Sequence, residues 1–287
     1  MHGTVDGFSY GIVTPLVAYL MACLGGALGL RCTTRALLVS HSWRPGWLAL
    51  GSAAIGSGIW TMHFIAMMGF TVAGAPIHYD KPTTYASLGV AVVMVGVGIF
   101  IVGYKGATGT ALFTGGTITG LGIASMHYLG MAGMRLNGDV EYNTLTVAVS
   151  VAIAMAAATA ALWAAGQVRG FLWSVGASLV MGLAVSGMHY TGMAAVSVHL
   201  HATGAPPPGD STAGLLAPML IGPLAFLCLA GVVVLFDPLM VRGKPDRTRV
   251  EHKPGVPANN HPPRPDRRVP PRPRQVAHHE PRTPQNR

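Results

Sequence analysis

Charge is scarce in this chain: Asp, Glu, Lys and Arg together supply 10% of its 287 residues, while apolar residues supply 51%. A soluble domain carries about 25% charged residues, so an aqueous surface is excluded for most of the chain. Cysteine is scarce too. Cys23, Cys32 and Cys228 show no paired spacing, which excludes a disulfide framework or a zinc knuckle and leaves small apolar packing as their reading. Catalytic signatures are missing. There is no HExxH, no Gly-rich phosphate loop in a suitable context, no paired carboxylates inside an apolar run and no Ser/His/Asp set that helices would assemble. The chain is accordingly not expected to be an enzyme.

Apolar length is what the sequence has in plenty. Crossing a hydrocarbon layer of about 30 Å takes roughly 20 mostly apolar helical residues. Seven stretches reach that length: Tyr10 to Leu30, Gly46 to Phe70, Thr83 to Tyr104, Thr110 to Met134, Thr144 to Gly166, Phe171 to Val198 and Gly214 to Phe236. None alternates with period two, so helices are expected in place of barrel strands, with backbone bonds closed inside each segment. The expected fold class is an all-α membrane protein of seven transmembrane helices. The first stretch has no basic leader and no cleavage site, and reads as a retained helix. Small residues such as Gly51, Ala53, Ala54, Gly56 and Gly58 would let neighbouring helices approach closely.

Flanking charge sets the expected orientation, because Lys and Arg are retained in the cytoplasm. Arg31, Arg35, Arg44, Lys105 and Arg169 flank one side; the other has Lys81 and Arg135 against Asp6, Asp80, Asp139, Glu141 and Asp210. The N-terminus is thus expected outside and the C-terminus inside. This divides the chain into an extracellular segment, 1–9, a membrane domain, 10–236, and a cytoplasmic tail, 237–287. From Arg242 to Arg287 there are 12 Lys/Arg, 4 Asp/Glu, 11 Pro and no aromatic residue. That composition reads as disordered. The tail carries +8 of the whole-chain +9, so no folded basic face is left for nucleic acid, and attraction to anionic lipid headgroups is the expectation.

An internal repeat carries the chemistry. Trp60 to Gly69 reads WTMHFIAMMG, Ala124 to Gly133 reads ASMHYLGMAG, and Ser186 to Ala195 reads SGMHYTGMAA. The spacings of 64 and then 62 residues equal one helical hairpin, so three hairpin repeats plus a seventh helix are expected. A weaker echo, HYD at His78 to Asp80 and EYN at Glu141 to Asn143, precedes helices 3 and 5. The motif helices run in one direction, which puts His63, His127 and His189 at equal depth. Buried imidazoles at matched levels call for a shared partner, a ligand or a cavity. Met67, Met131 and Met193 lie four residues after each histidine, on the same helix face. Met62, Met126 and Met188 lie one residue before it, about 100° around the helix, where core filling is the simpler reading. Imidazole with thioether is a soft, neutral donor set that suits copper, Cu(I) especially, whereas calcium and magnesium need oxygen ligands. Phe64, Tyr128 and Tyr190 share no common phenol chemistry and read as packing beside the imidazoles, or as a hydrogen bond from Tyr128 and Tyr190. His78, His199 and His201 read as solvated loop histidines in preference to a second metal site.

The threefold motif in its seven-helix setting resembles the MHYT family, whose name is spelled here by Met188, His189, Tyr190 and Thr191. The resemblance spans about Tyr10 to Phe236. It implies a bacterial inner-membrane sensor domain that binds copper, Cu(I) or Cu(II), near the outer face and so detects oxygen, carbon monoxide or nitric oxide. Carried over by position, the ligand set is Met62, His63, Met67, Met126, His127, Met131, Met188, His189 and Met193. The first repeat reads MHF where the others read MHY. Many members of the family continue into a cytoplasmic signalling enzyme, whereas a proline-arginine tail follows helix 7 here, so output is expected to pass through a separate partner or the tail. Two other functions fit the same residues: a copper-handling transporter, and a b-type cytochrome with two axial histidines.

Overall fold

The computed structural model describes residues 5–7, 9–39, 41–73, 75–167, 171–200 and 212–237. Contacts divide the chain into Met1–Gly243 and Lys244–Arg287. The second unit, with it the basic tail, lies outside the described residues.

Seven helices dominate the described residues: α1 (Val13–Leu38), α2 (Arg44–Met68), α3 (Lys81–Lys105), α4 (Gly109–Ala132), α5 (Thr144–Gly166), α6 (Phe171–Ala194) and α7 (Thr212–Leu235). Six are long and apolar enough to cross a membrane. The exception, α4, has the length, but its run TGGTITGLG over residues 114–122 lowers its hydropathy. Those small residues are what its neighbours need: Gly115, Gly116, Gly120 and Gly122 are all buried. The chain is therefore an all-α membrane protein.

The first helix departs from expectation. It continues eight residues past Leu30 to Leu38, so Arg31 and Arg35 are helical and not in a loop; Arg44 opens α2. Arg35 stays in the helix because it has a partner, donating from Nε to Asp237 Oδ2 at 2.7 Å just past α7, and its guanidinium lies 5.4 Å from the Trp47 ring. Burying that cation without a carboxylate would be costly.

Consecutive helices α1 to α6 pack side by side and α6 closes back on α1, giving a six-helix ring, with α7 outside against α1 and α2. Close approach within the ring depends on missing side chains. A Cβ on Gly25 of α1 would sit 2.7 Å from Gly58 Cα of α2.

Among the described residues, six short strands, which the apolar pattern did not foretell, tie the hairpins at one end: β1 (Val5–Asp6), β2 (Thr71–Val72), β3 (His78–Tyr79), β4 (Met134–Arg135), β5 (Gly138–Tyr142) and β6 (Val196–Leu200). Antiparallel pairs join β1 to β2, β3 to β4 and β5 to β6, so each hairpin is closed across its own two ends. Beside each pair one backbone bond repeats: Ser9 N–H to Gly69 O, Asp80 N–H to Gly133 O and Asn143 N–H to Ala195 O, at 2.9–3.1 Å. The HYD and EYN echoes are thus a strand followed by a helix cap. Asp80 Oδ2 accepts from Thr83 N–H and Oγ1, and Asn143 Oδ1 accepts from Thr146 N–H and Oγ1. Each satisfies a first-turn donor that the helix cannot.

Candidate metal centre

Three motif helices deliver their histidines to one point. His63, His127 and His189 each stand five residues before the last residue of α2, α4 and α6, about 7.5 Å below the helix end at 1.5 Å per residue. All three side chains are buried. Their Nδ1 atoms form a triangle with sides of 3.0, 3.2 and 3.3 Å. The rings stand nearly perpendicular to one another, at 78–87°, with centroids 4.9–5.1 Å apart.

That triangle cannot be satisfied by hydrogen bonds alone. Along its bonding axis an imidazole Nδ1 presents either a proton or a lone pair. Two kinds of corner on a triangle force at least one side to join like with like, proton to proton or lone pair to lone pair. A cation facing three lone pairs removes the conflict. The point equidistant from the three nitrogens lies about 1.8 Å from each, close to the roughly 2.0 Å of metal–imidazole bonds. With Nδ1 committed inward, the proton resides on Nε2, and the Nε2 atoms of His63 and His127 are buried with no hydrogen-bond partner. The donor set therefore fits a small soft or borderline cation. Among the described residues no cysteine or carboxylate joins the cluster.

The histidine rings are held from the side by the next repeat. A Cβ on Gly130 would lie 2.6 Å from His63 Nε2, and one on Gly192 would lie 2.5 Å from His127 Nε2. Both glycines occupy the fifth motif position, where Ala66 stands in the first repeat. Each following aromatic also contacts its histidine, with centroids of 4.6 Å for Phe64, 4.8 Å for Tyr128 and 5.0 Å for Tyr190. At the strand-bearing end, Tyr79 covers Phe64 and Tyr142 covers Tyr128, at 5.9 and 5.8 Å. Burial pushes the Tyr79 phenol above its ordinary range. Asp80, next in sequence, is held below the usual carboxylate range by hydrogen bonds from Thr83.

The nine residues singled out from the sequence thus fall into two groups. The three histidines meet. Of the methionines, Met62, Met67, Met126, Met131 and Met188 are buried, and Met193 is half-buried against the same core. His78 and His199 are half-buried in β3 and β6, His199 with Nε2 3.4 Å from Glu141 Oε2; His201 lies outside the described residues. Gly130 and Gly192 were not foreseen as site residues. Their signal was present, since the fifth motif position is held by Gly or Ala in all three repeats.

The MHYT profile, described as a bacterial signalling protein N terminal repeat, matches residues 56–115, 120–178 and 182–236. Each match opens in a motif helix. Among curated proteins, the chain is 35% identical over 235 residues to the bifunctional diguanylate cyclase/cyclic di-GMP phosphodiesterase MucR of Pseudomonas aeruginosa, covering 80% of this chain and 34% of that one. It is 35% identical over 203 residues to the cyclic di-GMP phosphodiesterase NbdA of the same species, covering 67% and 26%. It is 31% identical over 198 residues to the signaling protein YkoW of Bacillus subtilis, covering 67% and 24%. The chain spans about a third or less of the length of these relatives. No solved structure matches it.

Proposed function

Because the chain belongs to the MHYT family of bacterial signalling proteins, we propose that it is a plasma-membrane sensor module in which His63, His127 and His189 hold a copper ion. The observation that carries this is the buried triangle of Nδ1 atoms, 3.0–3.3 Å on a side, whose conflict no pairing among the three imidazoles relieves. Copper is favoured over zinc by charge. Three neutral imidazoles leave the whole ionic charge uncompensated in a low-dielectric setting, and the cost of burying an ion rises with the square of its charge. A monovalent soft ion therefore suits the site best. Met67, Met131 and Met193, four residues after each histidine, are the thioethers that would add soft donors in this reading; Met62, Met126 and Met188 complete the motif beside them.

The residues of this chain do four things at the site. The three imidazoles bind through Nδ1. Gly130 and Gly192 leave room for the rings to stand at right angles. The aromatics Phe64, Tyr128 and Tyr190 fix their tilt, and Tyr79 and Tyr142 close the layer toward the strands. Bound there, copper would supply an open position for a diatomic ligand such as oxygen, carbon monoxide or nitric oxide. The ring of helices, tied at one end by strands, then passes a change in packing to a cytoplasmic signalling output. The cyclase and phosphodiesterase activities named for the relatives belong, in this reading, to regions beyond those this chain matches. A transporter using the same residues would need a polar path onward, whereas the next two turns below each histidine are mostly apolar. A b-type cytochrome is disfavoured because no porphyrin fits between imidazoles in mutual contact.

Metal analysis of the purified chain tests the proposal. Copper should co-purify with it and fall to background in a variant carrying His63→Ala, His127→Ala and His189→Ala. Equal copper in the two preparations sinks the reading.

A further inference from the structure

Below the imidazole layer the motif helices continue and enclose a space. Four residues back from each histidine stand Ile59, Ile123 and Val185; eight back stand Ile55, Thr119 and Met181. All six line one central cavity. It leaves about 30 Å³ for the centre of a water-sized sphere to move in, where a single guest of that size needs roughly 10–15 Å³. The hydroxyls on its wall are committed to backbone: Thr33 Oγ1 donates to Gly29 O at 2.9 Å, and Thr119 Oγ1 to Met94 O at 3.5 Å. Water needs two to four polar partners to stay in such a place, and this wall does not offer them. The cavity suits a small apolar guest.

A second space, a groove of about 410 Å³ between α5 and α6, shares Ala157, Ala161 and Met181 with the first. Its far side carries Trp163 and Leu172, 46% and 83% exposed, on the face that meets lipid in a membrane-spanning ring. Trp173 and Val180 also line it, and the rest of the wall is short-chained, with Ala160, Ala164, Gly176 and Ala177. Met181 is the one long side chain common to both spaces, and its methyl end reaches Gly26 of α1. An unbranched thioether swings at little cost.

We propose that the α5–α6 groove and the central cavity form a lateral route by which a small apolar molecule, of the class of xenon or dioxygen, moves from the bilayer to the underside of the histidine triangle, with Met181 as its gate. Such molecules concentrate in hydrocarbon, so a side opening draws on a richer supply than the aqueous face. The purpose of the route rests on the metal-sensor reading, but its occupancy does not, because the cavity exists whether or not an ion is held above it.

Xenon NMR on the full chain in detergent micelles, with copper measured on the same samples, separates the two ideas. The wild type should show a saturable bound-xenon signal. Ala161→Leu, which fills the junction, should weaken it several-fold while leaving copper unchanged, and Met181→Ala should speed xenon exchange. No saturable signal in the wild type, or the same signal in Ala161→Leu, overturns the route and leaves the metal reading intact. Should Ala161→Leu lose its helical circular dichroism, Met181→Ala decides: unaltered exchange overturns the route. Absent copper with intact xenon behaviour overturns only the metal reading.

Discussion

The first and second hairpins fasten a motif helix to the next helix with different side chains. In the second, the Tyr128 hydroxyl donates to Ser150 Oγ at 2.7 Å. In the first, Phe64 has no hydroxyl, and Trp60, one turn earlier, donates from Nε1 to Ser87 Oγ at 3.0 Å. Ser87 and Ser150 each stand seven residues after the capping residue, Asp80 or Asn143, and each donates to the carbonyl three residues back. The acceptor is repeated and the donor has migrated. The duplicated feature is therefore a latch between helices, and in the MHF repeat a residue outside the triplet completes it.

Breaking the latch should separate the hairpins by size of effect. Trp60→Ala removes a fully buried ring as well as the donor, and should lower stability by about 3–5 kcal/mol, measured by denaturant unfolding in mild detergent. An effect no larger than that of Tyr128→Phe would contradict a latch role for Trp60. Gly130→Ala comes next. It forces His63 aside and should weaken copper binding by about tenfold, whereas Ala66→Gly should leave the affinity unchanged; competition with a chelator reads both. Tyr128→Phe should cost only about 1 kcal/mol, because Ser150 keeps its bond to the Val147 carbonyl. Asp80→Asn, which gives the first cap the second cap's residue, should change stability least of all at neutral pH.

Acid sharpens the same contrast. Asp80 has a carboxyl pKa held below its unfolded value by Thr83, so its contribution is complete above the unfolded value and fades as pH falls through the folded one. Asn143 does not titrate. Relative to the intrinsic rate at each pH, amide exchange at the start of α3 should therefore rise in acid while that at the start of α5 does not, and Asp80→Asn should abolish the difference.

Much of this was legible beforehand, for identifiable reasons. Helix number and approximate bounds follow from apolar length, and the boundaries of α5, capped at its start by Asn143, and the start of α6 coincide with those read from sequence. Hairpin duplication was visible in the motif spacing. The end of α1 was misjudged because Arg31 and Arg35, directly after Leu30, look like a stop signal, whereas both are helical and Arg35 meets Asp237, 202 residues away. Residues 195–198 were read as helix because apolar length alone does not separate a helix end from a strand; β6 forms there because β5 lies alongside to take its hydrogen bonds.

Sequence alone determined that this chain enters a membrane and that three imidazoles lie at one depth, since hydropathy and helical rise are local properties. Tertiary structure decided that the imidazoles touch, that Gly130 and Gly192 make room for them, and that Trp60 replaces a missing phenol. Those facts depend on how helices rotate about their own axes and which neighbours they meet. Rotation is settled only when six helices close into a ring.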